Sequence, residues 1–341
     1  MDKLTVWQKR LSLSALCFAF LVIVLGALTR LIDAGLGCPD WPGCYGHLTV
    51  IGAEQDQFLK WAYPQTPLVS YKAWAEMLHR YCAGLLSLLI LSLATVLGIR
   101  FVREKRAAFL VLLLTLLALV VYQIMLGRWT VTLQLLPSIV TQHLLGGFLT
   151  IALLGLCYCH TSLKTDSTFY LKNEFVWGLI GTILLLVQIF LGAWTSTHYA
   201  ALSCEAFPFC NEIDINMPFA WQEAFQWQTP IGLNYEGGLL SETARQTIQM
   251  VHRIGAAVVF LYWFVFFLMV NYKLKPKVLK NLYLVLILLL IQFALGIANA
   301  VFSLPLVVAV LHNVAAALLL LSAVFLTWQL ANNKKVNSCK Q

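Results

Sequence analysis

Charge is what this chain has little of: 341 residues carry 23 Lys and Arg and 15 Asp and Glu, 11% charged against 60% apolar, with a mean hydropathy of +0.79. No soluble core of this length needs so much apolar surface, so the composition excludes a soluble domain and points to a polytopic membrane protein. The apolar stretches also lack the period-2 alternation of a membrane barrel strand, which leaves helices. The first of them lacks a small-residue cleavage site and is too long for a signal peptide's apolar region. With no Arg/Ser-rich amphipathic leader either, the expectation is a bacterial inner-membrane protein whose first apolar stretch is a span. Finally, no pair of Gly/Pro-broken helices stands at mid-membrane, which argues against a transporter.

What is present is grease in eight blocks. Stretches near 11–31, 74–99, 107–127, 139–159, 175–195, 247–270, 279–298 and 307–330 are each long enough to cross about 30 Å of hydrocarbon, which takes roughly 20 helical residues. With the N-terminus inside, sixteen Lys and Arg fall in inner segments, among them Lys164, Lys172, Lys334, Lys335 and Lys340. Only Lys60, Lys72, Arg128 and Arg245 fall outside. This bias predicts that both termini are cytoplasmic. The net charge of +8 is then an orientation signal, and no nucleic acid partner is expected.

Two long segments, 32–73 and 196–246, fall on the outer side, and each holds two cysteines six residues apart, Cys38/Cys44 and Cys204/Cys210. In an oxidising compartment such pairs are expected to form disulfides. For Cys204/Cys210 the expected role is a loop staple; for Cys38/Cys44 a staple and a redox-active pair both stay open. Cys17, Cys82, Cys157, Cys159 and Cys339 are expected to be reduced.

The second pair is a duplicate of the first. "LGALT" at 25–29 matches "LGAWT" at 191–195, and Gly26–Cys38 and Gly192–Cys204 are both separated by 12 residues. "EMLHR" at 76–80 matches "QMVHR" at 249–253. Gln123 stands 20 residues before His143, and Gln292 stands 20 before His312, each with "LG" following. The chain is thus two four-span units, 1–165 and 166–341. An even span number gives both units the same membrane sense, so the expected relation is a pseudo-two-fold axis along the membrane normal.

His79, His143, His252 and His312 each fall one to two turns into the outer end of an even-numbered span, roughly 5–10 Å deep. Ionisable groups at that depth are costly and mark function. Two helices of each half present one histidine apiece at matched depth, an arrangement for axial ligation of a heme iron. Zinc would want added Cys, His or carboxylate ligands, and only the first half has a carboxylate nearby. Arg80 and Arg253 follow their histidines directly and suit either a heme propionate or an interfacial anchor. His47, His160 and His198 have no repeat partner and are expected to be solvated. The halves differ three residues before the first histidine, with Glu76 in one and Gln249 in the other. A carboxylate can transfer protons or stabilise a cation beside a bound heme; an amide can do neither. The first half therefore reads as the chemical site and the second as a resident cofactor site.

Across essentially the whole chain this pattern resembles the heme A synthase family, through "EMLHR", "TQHLLGG", "QMVHR" and "VLHNV" at the four histidines and "GLGCPDWPGC" in the first outer loop. That resemblance implies an oxidoreductase that converts a ring methyl of heme O to a formyl by two successive hydroxylations with loss of water. It implies a resident b-type heme on His252 and His312, and heme O held by His79 and His143 beside a catalytic Glu76. Expected partners are heme O, membrane lipid, an unidentified electron donor, heme O synthase and cytochrome oxidase assembly factors. The rival readings are a di-heme cytochrome that oxidises quinol and a membrane thiol-disulfide oxidoreductase using the outer cysteine pairs.

Overall fold

The computed structural model describes residues 3–162, 173–204, 206–210 and 219–332, and the side chains of all these except 3–5 and 162. Cys339 and Lys164, Lys172, Lys334, Lys335 and Lys340 lie outside the described residues. Eight helices are long and apolar enough to cross a membrane: α1 (Lys3–Leu31), α2 (Ser70–Arg103), α3 (Ala107–Thr132), α4 (Pro137–Ser162), α5 (Asn173–Thr197), α6 (Glu242–Val270), α7 (Pro276–Val301) and α8 (Leu306–Asn332). Each coincides with one of the eight apolar stretches. Helices α2 and α6 start several residues before theirs. The 34 residues of α2 span about 50 Å, more than the ~30 Å of hydrocarbon, and its first turns bury Ala73 and Met77 against the first loop. At α6, the Ser241 hydroxyl caps the helix by accepting from Ala244 N–H at 3.3 Å.

The helices pack as two closed squares. In the first, α1 contacts α2 and α4, and α3 contacts α2 and α4; in the second, α5 contacts α6 and α8, and α7 contacts α6 and α8. The squares meet through α4 with α8, α4 with α5, and α8 with α1. Exchanging the halves leaves this set unchanged, which fits the pseudo-two-fold arrangement. Because α4 and α8 form the seam, 44% of each span is buried, against 11–28% for the other six. The seam is tight: a Cβ on Gly155 would lie 2.4 Å from Leu321 Cδ1. Hydroxyl pairs join neighbouring helices, Thr141 with Thr197 at 3.1 Å across the seam and Thr182 with Thr327 at 3.0 Å within the second square, as interhelical polar contacts do in lipid. Large side chains such as Leu88, Leu114 and Leu261 are exposed on the outer faces, where the solvent is hydrocarbon.

The odd helices end alike. Asp33, Gln134, Tyr199 and Ser303, each seven residues past Gly26, Gly127, Gly192 and Gly296, all have positive φ, between 48° and 55°. For three of them a 2.8 Å bond closes the helix end: Ala34 N–H to Thr29 O, Leu135 N–H to Thr130 O, and Leu304 N–H to Asn299 O. The molecule is therefore four helical hairpins as well as two halves. At the seam, equivalent positions of α1 and α5 meet: Arg30 donates to Ser196 O at 2.6 Å and covers the Tyr199 ring at 4.1 Å, while Tyr199 donates to Asp33 at 3.0 Å.

Both outer loops fold onto the bundle. Cys38–Cys44 and Cys204–Cys210 are disulfides, and a cis peptide bond, Trp41–Pro42 or Phe207–Pro208, sits at the same place in each loop. The second loop rests on a stack of Phe190, Trp194 and Trp227, whose two indoles lie 5.4 Å apart.

Two histidines expected in solvent are not there. His198 is 2% exposed, lies against Trp194 and bonds its carbonyl at 3.0 Å; burial holds its pKa below the ordinary imidazole value. The end of α5 tucks it under the second loop. His160 packs between Phe109 and Trp328, because the end of α4 is enclosed by α3 and α8. His47 stays half-exposed and pairs with Asp56 at 3.0 Å; that contact is the leading cause of the low Asp56 pKa.

Candidate functional site

The four histidines that share a depth in the sequence also share one environment. His143 and His312 each stand six residues past the first residue of α4 and α8; His79 and His252 lie on α2 and α6. Each ring rests its Cε1 on a glycine of the preceding helix. A Cβ added to Gly26 would lie 2.9 Å from His79 Cε1, to Gly127 3.5 Å from His143, to Gly192 3.1 Å from His252 and to Gly296 3.3 Å from His312. The "LG" that marks every odd helix is therefore an imidazole seat. The seats differ in tolerance. Gly26→Ala forces the His79 ring to move, whereas Gly127→Ala makes only an ordinary contact. We expect the first variant to lower heme binding in the first half at least 10-fold more than the second, measured by spectroscopic titration with heme O. Equal effects would refute the seat.

Within the first half, the His79 and His143 ring centres lie 6.4 Å apart and edge to face. Two imidazoles on one metal, each about 2 Å from it, place their centres roughly 6 Å apart. In the second half, His252 and His312 are close enough to interact electrostatically. The Nδ1 atoms of His79, His143 and His312 are buried with no partner among the described residues, as expected of rings held for something other than a protein hydrogen bond. These side chains fit an axially ligated heme in either half.

Glutamines surround the rings. Gln188 Nε2 lies 3.0 Å from His252 Nδ1 and donates to the His252 carbonyl at 2.9 Å. Gln292 Nε2 lies 3.0 Å from His312 Nε2. The Gln123 amide fills a notch at Gly146, where a Cβ would lie 1.8 Å from its Nε2; Gly255 is notched in the same way for Gln188 Oε1, at 2.3 Å. Gln123 and Gln292 are legible in the sequence as repeat markers; Gln188 is not. A comparison of halves sets Gln188 against Val22 and hides it. Comparison of all four hairpins, four residues before each seat glycine, brings up Val22, Gln123, Gln188 and Gln292 together.

Glu76 is 4% exposed and Gln249 5%. The partners of Glu76 are not on its histidine's ring, however. Glu76 accepts from Cys38 N–H at 2.8 Å and from Arg80. Gln249 accepts from Cys204 N–H at 2.9 Å and Ser203 at 3.2 Å, and donates to Ala201 O at 2.7 Å. Both residues dock a disulfide loop on a histidine helix.

The following arginines do the same. Arg80 Nη1 donates to Gly43 O at 2.6 Å and Asp40 O at 3.0 Å. Arg253 Nη1 donates to Ala206 O at 2.8 Å and Pro208 O at 3.0 Å. The Glu76/Gln249 difference then reaches the arginines. Glu76 engages Arg80 Nη2, whereas Arg253 Nη2 is buried with no partner among the described residues. Of these two arginines, it is Arg253 whose Nη2 is left without a partner among the described residues.

The sequence comparisons agree with this architecture. The family model for a cytochrome oxidase assembly protein, COX15-CtaA, matches residues 9–324. A heme A synthase of Shewanella oneidensis is 43% identical over 333 residues, which are 94% of this chain and 95% of that protein. Heme A synthases of Rickettsia canadensis and Sinorhizobium fredii are 28% and 26% identical over 92% and 93% of the chain. From four seated histidines, two docked disulfide loops and a match across nearly its whole length, the chain belongs to the COX15-CtaA family of cytochrome oxidase assembly proteins.

Proposed function

We propose that the protein is a heme A synthase, a membrane oxidoreductase that oxidises one ring methyl of heme O to a formyl through two hydroxylations and loss of water. The observation that carries this reading is the His79/His143 pair, its rings 6.4 Å apart and its Nδ1 atoms buried without a partner among the described residues, with the buried carboxylate of Glu76 three residues before His79. Substrate heme O is gripped by His79 and His143 in the first half, residues 1–165. Glu76 is the catalytic carboxylate there, held by Cys38 N–H and Arg80 so that its charge is fixed in place. The second half, residues 166–341, holds a resident b-type heme on His252 and His312, with Arg253 Nη2 offered to a propionate. When bound, that heme supplies one-electron transfer. Arg80, already engaged by Glu76, serves a propionate through whichever donor the loop leaves free. Both termini are cytoplasmic, which puts both heme sites near the outer face of the bacterial inner membrane. The partners are membrane lipid, an electron donor, heme O synthase and cytochrome oxidase assembly factors.

Pigment extraction from the purified protein tests the reaction. A synthase yields heme O, heme A or the hydroxylated intermediate, whereas a di-heme quinol-oxidising cytochrome yields only heme b. The thiol-disulfide reading has little support, because all four paired cysteines are at most 6% exposed and a disulfide exchanges only where a thiolate can reach it. Serine at both Cys204 and Cys210 is expected to lower stability by about 2 kcal/mol, read as a lower unfolding midpoint, with heme A formation retained. A well-folded but inactive variant would overturn the staple reading.

A further inference from the structure

The four hairpins are alike in their glycine seats but not in what stands one turn earlier. Gln123, Gln188 and Gln292 occupy that position on α3, α5 and α7; Val22 occupies it on α1. The residue three past the histidine varies with it. It is Gly146 on α4, Gly255 on α6 and Ala315 on α8, and Cys82 on α2. Small residues there admit an amide: Gln123 and Gln188 already lie in the notches of Gly146 and Gly255. Where no amide exists, no notch is kept. The second half has an amide within 3.0 Å of both ligand rings. In the first half no amide stands at the His79 ring, whose Nδ1 is buried with no partner among the described residues.

A metal-ligating imidazole is oriented, and its ligand nitrogen made more basic, by what its remaining polar edge bonds to; loss of that partner typically costs 10–100-fold in affinity. Gln188 is placed for this role: its Nε2 lies 3.0 Å from His252 Nδ1 and donates to His252 O at 2.9 Å. Exchanging it for Oε1, which is buried with no partner among the described residues, gives an Nδ1–H its acceptor at the cost of the bond to His252 O.

We propose that Gln188 is a positioning residue that makes the second site retentive, and that Val22 with Cys82 gives His79 no such amide, so that the first site exchanges its heme. This assigns retention against turnover to the residue four before each seat glycine. It rests on the reading that His252 and His312 hold the resident heme. A site that must load heme O and release heme A on every cycle has use for a weakly held ligand; a resident cofactor does not.

The test is heme transfer from purified protein to excess apomyoglobin, followed by absorbance, with a redox titration of the resident heme. Gln188→Val is expected to release resident heme 10–100-fold faster than wild type. Gln188→Met fills the Gly255 notch without a hydrogen bond and should release it as fast as Gln188→Val. Gln188→Glu keeps an acceptor and should restore slow release with a lowered reduction potential. In a His252→Ala background loaded with heme O, the pair Val22→Gln and Cys82→Gly should slow release from the first half at least 10-fold. Wild-type release and potential in a folded Gln188→Val protein would overturn the proposal. So would a Gln188→Met protein indistinguishable from wild type, since packing alone would then suffice. If the paired first-half variant does not fold, the Gln188 series decides alone. The two readings fail separately: heme retained in His252→Ala refutes the resident-site assignment, while heme lost there but unmoved in Gln188→Val refutes only this inference.

Discussion

His252→Ala should purify without its resident heme, its b-type absorption falling to background, while the first half still binds added heme O. The ring it removes sits on Gly192, with Gln188 on its other edge, and no other described side chain is placed to substitute. Alanine leaves a space above a glycine where no donor stands, so loss of the axial ligand is complete. His312→Ala should likewise purify without its resident heme, because a heme gripped by two imidazoles loses much of its hold when either is removed. His79→Ala and His143→Ala should leave the resident signal intact. A normal b-type spectrum in folded His252→Ala would place that heme elsewhere.

The second large effect is expected at Glu76. Glu76→Gln recreates in the first half what Gln249 does in the second, where the amide oxygen accepts from Cys204 N–H. The replacement can therefore keep the loop docked through Cys38 N–H while removing the charge. It also releases Arg80 Nη2, which the carboxylate now engages, so heme binding should be kept. Removing a positioned proton-transfer group costs 10²–10⁴-fold, and we expect the rate of formyl production to fall by that much. The measurement is chromatographic separation of heme O and heme A after turnover. Heme A formed at the wild-type rate would remove Glu76 from the chemistry.

Much of this architecture was legible in the sequence because lipid imposes simple rules. Long apolar stretches had to be helices, and the duplicated spacings marked two equivalent units. Six-residue cysteine spacing in outer loops foretold the two disulfides. What escaped was set by tertiary contact. Arg80 and Arg253 could not be assigned to loop carbonyls before the loops were seen folded back over the histidine helices. His198 is buried because α5 ends beneath the second loop, and His160 because α4 ends between two helices; neither position has a local signature. Gln188 was hidden by Val22, since a two-fold comparison shows only a mismatch there. The four glycines were present in the motifs, but their purpose appears only when each is seen beneath an imidazole of the next helix.

The central claim is that each half grips one heme and that the two hemes differ. Extraction and chromatography of the pigments in purified wild-type protein, with heme counted per chain, tests it most directly. The account predicts one equivalent of heme b that survives in His79→Ala, together with heme O, its hydroxylated form or heme A that does not. A colourless protein after expression with ample heme, or two equivalents of heme b and no other pigment, would contradict it.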